Sequence, residues 1–420
     1  MSYKKIVFLV ETPILERYYK RYGIQELRDL GFETTIFDLS PILLPTAYNN
    51  ITTGLCNYEE YGFYRFQNLK DLKTIFSKMN SKETLLICSM GYAWTYRKVF
   101  RMIKKYKLHF GYFMQEIAPV DNVYVESVFD KKKTLQRIIQ AIISRGNVQD
   151  ESVTDKKLTL QRIVHAITLR MPKELHGVPF ADFVIGCGAD DRAVAAFKKA
   201  RLCKKECPVI YFHSSNYEEC LLNKDVPSIY EKKYCVFIDQ YLPYHTDLID
   251  KDIKIKAEKY YKEMNALFDL IETEMKIKVI IAAHPRSDYT EHKDVYGNRD
   301  IIYNKTCQLV KDSEFVIYHF SNSLSYVSLY KKPMLIVVND DIIHHFSNAI
   351  MEICKQMRMD YLRIDDCYNI KSVISKIKMD EEVYTNYIKR YMKKDYNGNL
   401  EGEPLWVQIG DFLKKLDGKI

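Results

Sequence analysis

Apolar residues gather along the chain into short unbroken runs, separated by stretches in which they return every three or four positions. This is how buried parallel strands alternate with the helices that pack on them. The first run, "KIVFLVE", is followed by the helical pattern "LERYYKRYGIQELRDLG" and a second run, "FETTIFDLS". Gly31 closes that helix, because a residue without a Cβ takes the left-handed conformation at no steric cost. Thr84–Ser89, His109–Gln115 and Ala181–Gly188 supply three more strands, the last leading into the helical "DDRAVAAFKKA". Together these predict one α/β domain over residues 1–205.

Residues 206–232 are polar and irregular and read as an interdomain connection. Beyond them, Tyr234–Asp239, Lys278–His284, Glu314–Phe320 and Pro333–Val338 predict a second doubly wound domain over 233–400. The tail, 401–420, predicts a final amphipathic helix with Leu405, Ile409, Phe412 and Leu413 on one face. The expected fold class is α/β, two doubly wound domains facing a cleft. Open α/β sheets bind ligands at the carboxyl ends of their strands, which bound such a cleft.

One insertion interrupts the first domain. "ESVFDKKKTLQRIIQAIISR" (126–145) recurs as "ESVTDKKLTLQRIVHAITLR" (151–170), identical at fourteen of twenty positions. Each copy predicts a helix with Leu135, Ile138, Ile139 and Ile142, or Leu160, Ile163, Val164 and Ile167, on one face and lysines beside it. Such helices either pack as a hairpin on their own domain or lie on an anionic membrane surface.

Composition narrows the class. The ten cysteines form no CxxC pair and several lie inside apolar runs, which suits reduced core thiols and a reducing cytosol. The N-terminal apolar stretch is too short for a signal peptide, and no window reaches the roughly 20 apolar residues of a spanning helix. A cytoplasmic protein is expected, either soluble or peripheral at the inner face of the membrane. Lysines and arginines occur throughout the chain, including on helices that read as solvated faces, and no nucleic-acid-binding signature is present, so nucleic acid is not an expected partner of this chain of net charge +8. Walker, GxGxxG, HExxH and GxSxG motifs are also missing.

Three strand ends could carry chemistry. In "KVIIAAHPRSDY" a buried run stops at His284, Pro285 and Arg286; the proline fixes a turn from which imidazole and guanidinium can donate to phosphate oxygens. A structural histidine is the competing reading. In "EFVIYHFSNSLSYVSLY" a strand ends in Ser321, Asn322 and Ser323 before a helix, which predicts either an anion site of free N–H groups or plain N-capping. In "YCVFIDQYLPYHTD" Asp239 stops a strand and Gln240, Tyr241 and His245 follow; the carboxylate is either a general base or a turn cap. Asp250 and Asp252 form a D-x-D that reads as a solvated turn, so no metal is expected. Glu11, Gln115 and Glu116 follow strands of the first domain and are candidates for acceptor contacts or an alternative base.

The three strand ends together resemble the nucleotide-binding half of GT-B glycosyltransferases, built from two Rossmann-like domains, and especially the bacterial sialyltransferase-like and Kdo-transferase-like enzymes. The resemblance covers about residues 230–340, and the short His-Pro and Ser-x-Ser motifs are shared with teichoic-acid polymerases. It implies that His284-Pro285, with Arg286, and Ser321-Asn322-Ser323 hold the CMP part of a nucleotide-sugar donor. It also implies that Asp239 is the base, that no cofactor or metal is needed, and that the sugar, a nonulosonic or ulosonic acid, passes with inversion to a glycan or glycolipid acceptor of capsule or lipopolysaccharide. Two alternatives remain open: a UDP-sugar or CDP-polyol transferase of the same fold, and a non-catalytic interaction protein of a polysaccharide assembly complex.

Overall fold

A computed structural model describes residues 3–15, 21–49, 62–116, 176–199, 201–245, 248, 253–292, 294–366, 369–377 and 379–416. The duplicated insertion (126–170), Asp250 and Asp252 lie outside the described residues. The chain forms two compact units. One comprises Met1–Gly186, Asp190–Tyr211 and Trp406–Ile420; the other comprises Cys187–Ala189 and Phe212–Leu405.

The first unit is built on a seven-stranded sheet with strands β1 (Lys5–Val10), β2 (Glu33–Asp38), β3 (Phe63–Arg65), β4 (Thr84–Cys88), β5 (His109–Phe113), β6 (Phe183–Cys187) and β7 (Val209–Phe212). Their order is β3-β2-β1-β4-β5-β6-β7, and the registers from β3 through β6 are parallel. Alternation along the strands gives each face its own core. Val7, Leu9, Leu86, Cys88, Phe110 and Tyr112 pack against Leu72 and Phe76 of helix Leu69–Lys78 and against Val99, Phe100 and Ile103 of helix Arg97–Lys105. The Asn68 side chain starts the first of these helices by accepting the N–H groups of Lys70 and Asp71.

The opposite face is closed by the last helix, Leu405–Lys415. The Trp406 ring meets Phe8 and Phe113 edge-on with centroids 5.1 and 5.0 Å away, and its Nε1 donates to the Arg21 carbonyl at 2.8 Å. Gly23 permits this contact: its φ is +53°, and a Cβ there would lie 1.9 Å from the indole. Of the expected stripe, Leu405, Ile409 and Leu413 are buried and Phe412 is half-buried against Phe183.

The second unit has strands β8 (Tyr234–Ile238), β9 (Lys278–Ala282), β10 (Ile301–Ile302), β11 (Val316–Tyr318), β12 (Met334–Val338) and β13 (Tyr361–Arg363). All are parallel, in the order β10-β9-β8-β11-β12-β13. Counted within each unit, the second sheet runs 3-2-1-4-5-6, the doubly wound Rossmann order, and the first runs the same with β7 added at its edge. Strand order reverses between β1 and β4 in one sheet and between β8 and β11 in the other. Chain connections leave in opposite directions at these two points and open a crevice beyond the strand ends.

The chain passes from the first unit to the second within the stretch 206–232. This stretch contains the edge strand β7 of the first sheet and the helix Ser215–Asn223 of the second unit, started by the Ser214 hydroxyl accepting the N–H of Tyr217. Among the described residues no helix is long and apolar enough to cross a membrane.

Candidate functional site

The two histidines and the arginine expected at the second sheet come together at the carboxyl ends of β8 and β9. His284 follows β9 by one residue and opens a turn closed by the Ser287 N–H donating to its carbonyl at 2.9 Å, with Pro285 at the position where a fixed φ near −65° suits the turn. The Arg286 N–H donates to Nδ1 of His284 at 3.2 Å, which assigns the proton of the neutral ring to Nε2. The rings of His245 and His284 lie 4.8 Å apart at 64°, and the Arg286 guanidinium is 3.4 Å from Nε2 of His245. Both rings are half-buried and Arg286 is exposed. Two imidazoles and a guanidinium so placed can share the oxygens of one phosphate group.

Of the two roles expected for Asp239, base or turn cap, its hydrogen bonds match the second. It is 3% exposed, and each carboxylate oxygen accepts two hydrogen bonds. Oδ1 takes the Tyr241 N–H at 2.9 Å and the Tyr296 hydroxyl at 3.0 Å; Oδ2 takes the Tyr289 hydroxyl at 2.7 Å and the His284 N–H at 3.4 Å. Burial raises its pKa against the pull of these four donors. With both oxygens occupied, Asp239 is the anchor of two strand-end turns rather than an open base. One of them holds Tyr241 at φ +53°, a conformation costly for a residue with a side chain, fixed further by its hydroxyl donating to the Asp288 carbonyl at 3.0 Å.

The serine turn is likewise more self-contained than expected. The Ser323 N–H donates to the Ser321 hydroxyl at 3.2 Å, and the N–H groups of Leu324, Ser325 and Tyr326 close three-residue turns onto the carbonyls of Ser321, Asn322 and Ser323. The helix that follows, Leu324–Leu329, is short, and no side chain caps it. The anticipated row of free N–H groups is therefore spent internally. Ser321 and Ser323 are half-buried and Asn322 is exposed. β9 and β11 flank β8, so the His284 and Ser321 turns stand two strand spacings apart, roughly 10 Å. Gln240 bridges β8 to β11 by accepting the Phe320 N–H at 3.0 Å.

A buried histidine that the sequence did not single out lies behind these turns. His319 donates from Nδ1 to the Val337 carbonyl at 2.6 Å and accepts the Tyr260 hydroxyl at Nε2, 3.1 Å away. Burial pushes its pKa down to about 4, so the ring is neutral. The tyrosines Tyr289, Tyr296 and Tyr260 were also missed; the unusual count of 33 tyrosines was the available signal.

In the first unit a pocket of about 410 Å³ opens where β4 and β5 end, lined by Arg21, Ser89, Gly91, Gln115 and Glu116 together with Cys88, Met90, Tyr112, Phe113, Met114 and Phe197. Glu116 is ion-paired with Arg21, and Gln115 donates to the Tyr22 hydroxyl at 2.9 Å. Ser89 Oγ is buried without a hydrogen-bond partner among the described residues. Glu11, at the end of β1 and across the point of strand reversal from β4, accepts from the Tyr96 hydroxyl and the Gly91 N–H; burial outweighs both and raises its pKa. Among the described residues no three His, Cys, Asp or Glu side chains gather as a metal site.

Among solved structures, the chain matches the wall teichoic acid polymerase TagF over 98% of its own length and 89% of that chain, with a TM-score of 0.50 and 13% identity. The fold is of the GT-B type. The glycotransferase of kitacinnamycin (TM-score 0.48, 9% identity, 98% of each chain) and the glycosyltransferase SnogD from Streptomyces nogalater (TM-score 0.47, 10% identity, 100% of each chain) are also matched. No protein-family model and no curated protein matches the chain.

Proposed function

We propose that the chain is a metal-independent glycosyltransferase that takes an acidic sugar from its CMP ester and passes it to a hydroxyl of a bacterial surface glycan. The observation that carries this reading is the convergence of His245, His284 and Arg286 at the carboxyl ends of β8 and β9 in the second unit. CMP leaves as a phosphate monoester, so the central need is stabilisation of negative charge on its phosphate. His284, through Nε2–H, and Arg286 donate to those oxygens. Asp239, with both oxygens taken, holds the turns that carry them. Glu11, in the first unit, is the alternative base, and burial raises its pKa. The acceptor O–H gives its proton to a carboxylate base, its oxygen bonds to the anomeric carbon, and the bond from that carbon to the phosphate oxygen breaks with its electron pair leaving on CMP.

A second reading, transfer of a polyol phosphate from a CDP-polyol, is favoured by the fold likeness to a wall teichoic acid polymerase and by the shared His-Pro and Ser-x-Ser motifs. There the bond broken lies inside the diphosphate, and CMP again departs from the same grip. Thermal shifts with CMP, CDP, UDP and GDP test both: CMP or CDP should raise the melting temperature most, and His284→Ala should abolish the rise. A larger shift with UDP would move the donor to a UDP-sugar, and no shift with any nucleotide would overturn the transferase reading.

A further inference from the structure

Residues 69–107 contain ten lysines and arginines and two acidic residues, a net charge of +8 that equals the net charge of the entire chain. The remaining residues are therefore balanced, and the positive charge of the protein is concentrated in one stretch. This stretch supplies the two helices, Leu69–Lys78 and Arg97–Lys105, that turn their apolar sides to one face of the first sheet. Their outward sides, with the turns that follow them, expose Lys70, Lys73, Lys78, Lys82, Lys98, Lys104, Lys105 and Lys107. None of these eight is ion-paired with a carboxylate among the described residues. The two acidic residues do not offset them: Glu83 is paired with Lys4 at 2.6 Å, and Asp71 accepts from the Asn68 amide at 2.8 Å.

We infer that this face docks on an anionic lipid bilayer. The charges sit on neighbouring helices in one layer and form a broad field rather than a pocket. The exposed members are all lysines apart from Arg101, and that arginine donates from Nε to the His176 carbonyl at 2.6 Å. Arg97 is half-buried, stacked 4.1 Å over Trp94 and bonded to the Trp94 carbonyl. A field of mobile ammonium groups suits a smeared surface charge, whereas stereospecific recognition of a discrete phosphate favours the planar arginine fork. The surface differs from the duplicated helices of 126–170 and does not depend on the transferase reading.

The test is sedimentation of the full-length protein with vesicles of pure phosphatidylglycerol or pure phosphatidylcholine. Binding to phosphatidylglycerol alone is expected, and it should fade as salt shortens the screening length from about 8 Å at 0.15 M to about 3 Å at 1 M. Each lysine near a charged bilayer contributes roughly fivefold to partitioning, so Lys98→Glu/Lys104→Glu/Lys105→Glu should weaken it by at least about a hundredfold at an unchanged melting temperature. Wild-type failure to bind phosphatidylglycerol, equal binding by the triple variant, or capture of soluble polyphosphate without vesicle binding would each overturn the inference. A triple variant that melts early is replaced by Lys70→Gln/Lys73→Gln/Lys78→Gln, for which a loss of at least about tenfold is expected and undiminished binding overturns the proposal equally.

Discussion

The main-chain N–H of Arg286 donates to Nδ1 of His284 at 3.2 Å, so the turn that presents the imidazole also chooses its tautomer. Asparagine reproduces the Nδ1 acceptor but not the Nε2 donor. His284→Asn should therefore melt near the wild type yet bind CMP at least about tenfold more weakly, the loss of one charge-assisted hydrogen bond. Titration calorimetry with CMP checks this.

Asp239→Ala leaves four buried donors without their acceptor, and Asp239→Asn turns an NH₂ group toward two of them. Both should lose about 3 kcal/mol or more in urea unfolding. Tyr289→Phe removes one donor only and should cost about 1 kcal/mol.

His319 gives stability a pH dependence of defined sign. Its folded-state pKa, about 4, lies below the ordinary 6.5, so its contribution is complete above pH 6.5 and is lost as pH falls toward 4. The unfolded chain takes up the proton across that window while the folded one does not. Unfolding free energy should fall by about 3 kcal/mol through this group, and His319→Gln, less stable at pH 7, should show a correspondingly shallower acid slope. Urea melts at pH 7, 5.5 and 4.5 distinguish the two.

Glu11→Gln should lower kcat by about a hundredfold or more while leaving CMP affinity unchanged, as expected of a base that does not touch the nucleotide. Because burial raises the Glu11 pKa, the acid limb of the wild-type rate profile should fall above the usual carboxylate range. A Glu11→Gln enzyme with wild-type kcat would remove it from the reaction.

Trp406→Ala should cost about 3–5 kcal/mol, since the indole fills the space between Phe8, Phe113 and Gly23. Gly23→Ala meets the same ring from the other side and is expected to be comparably destabilising, measured by thermal unfolding.

The strands legible in the sequence and those that were not differ in a physical way. All nine expected strands are present and lie inside the sheets, where burial on both faces leaves an unbroken apolar run such as "KIVFLV" or "YCVFI". The four that were missed, β3, β7, β10 and β13, are the four edges, two to four residues long and largely half-exposed, too short to register as runs. At the site, His284 and Arg286 were readable as a strand-end pair because a buried run stops at them, whereas the approach of the His245 ring to His284 depends on a loop with no local signal. The saturation of Asp239 was not: its partners Tyr289 and Tyr296 lie 50 and 57 residues away, and nothing local distinguishes an open carboxylate from one already claimed.

The final helix belongs to the unit that begins the chain. During synthesis the sheet side formed by Phe8 and Phe113 is complete by residue 211 except for its cover, and Trp406 emerges only after the whole second unit has been made. At about 5–20 residues per second that interval is roughly 10–40 s. The nascent protein thus carries an uncovered aromatic surface while its other half is being translated, and a chaperone that shields such surfaces would govern how much of it reaches the native state.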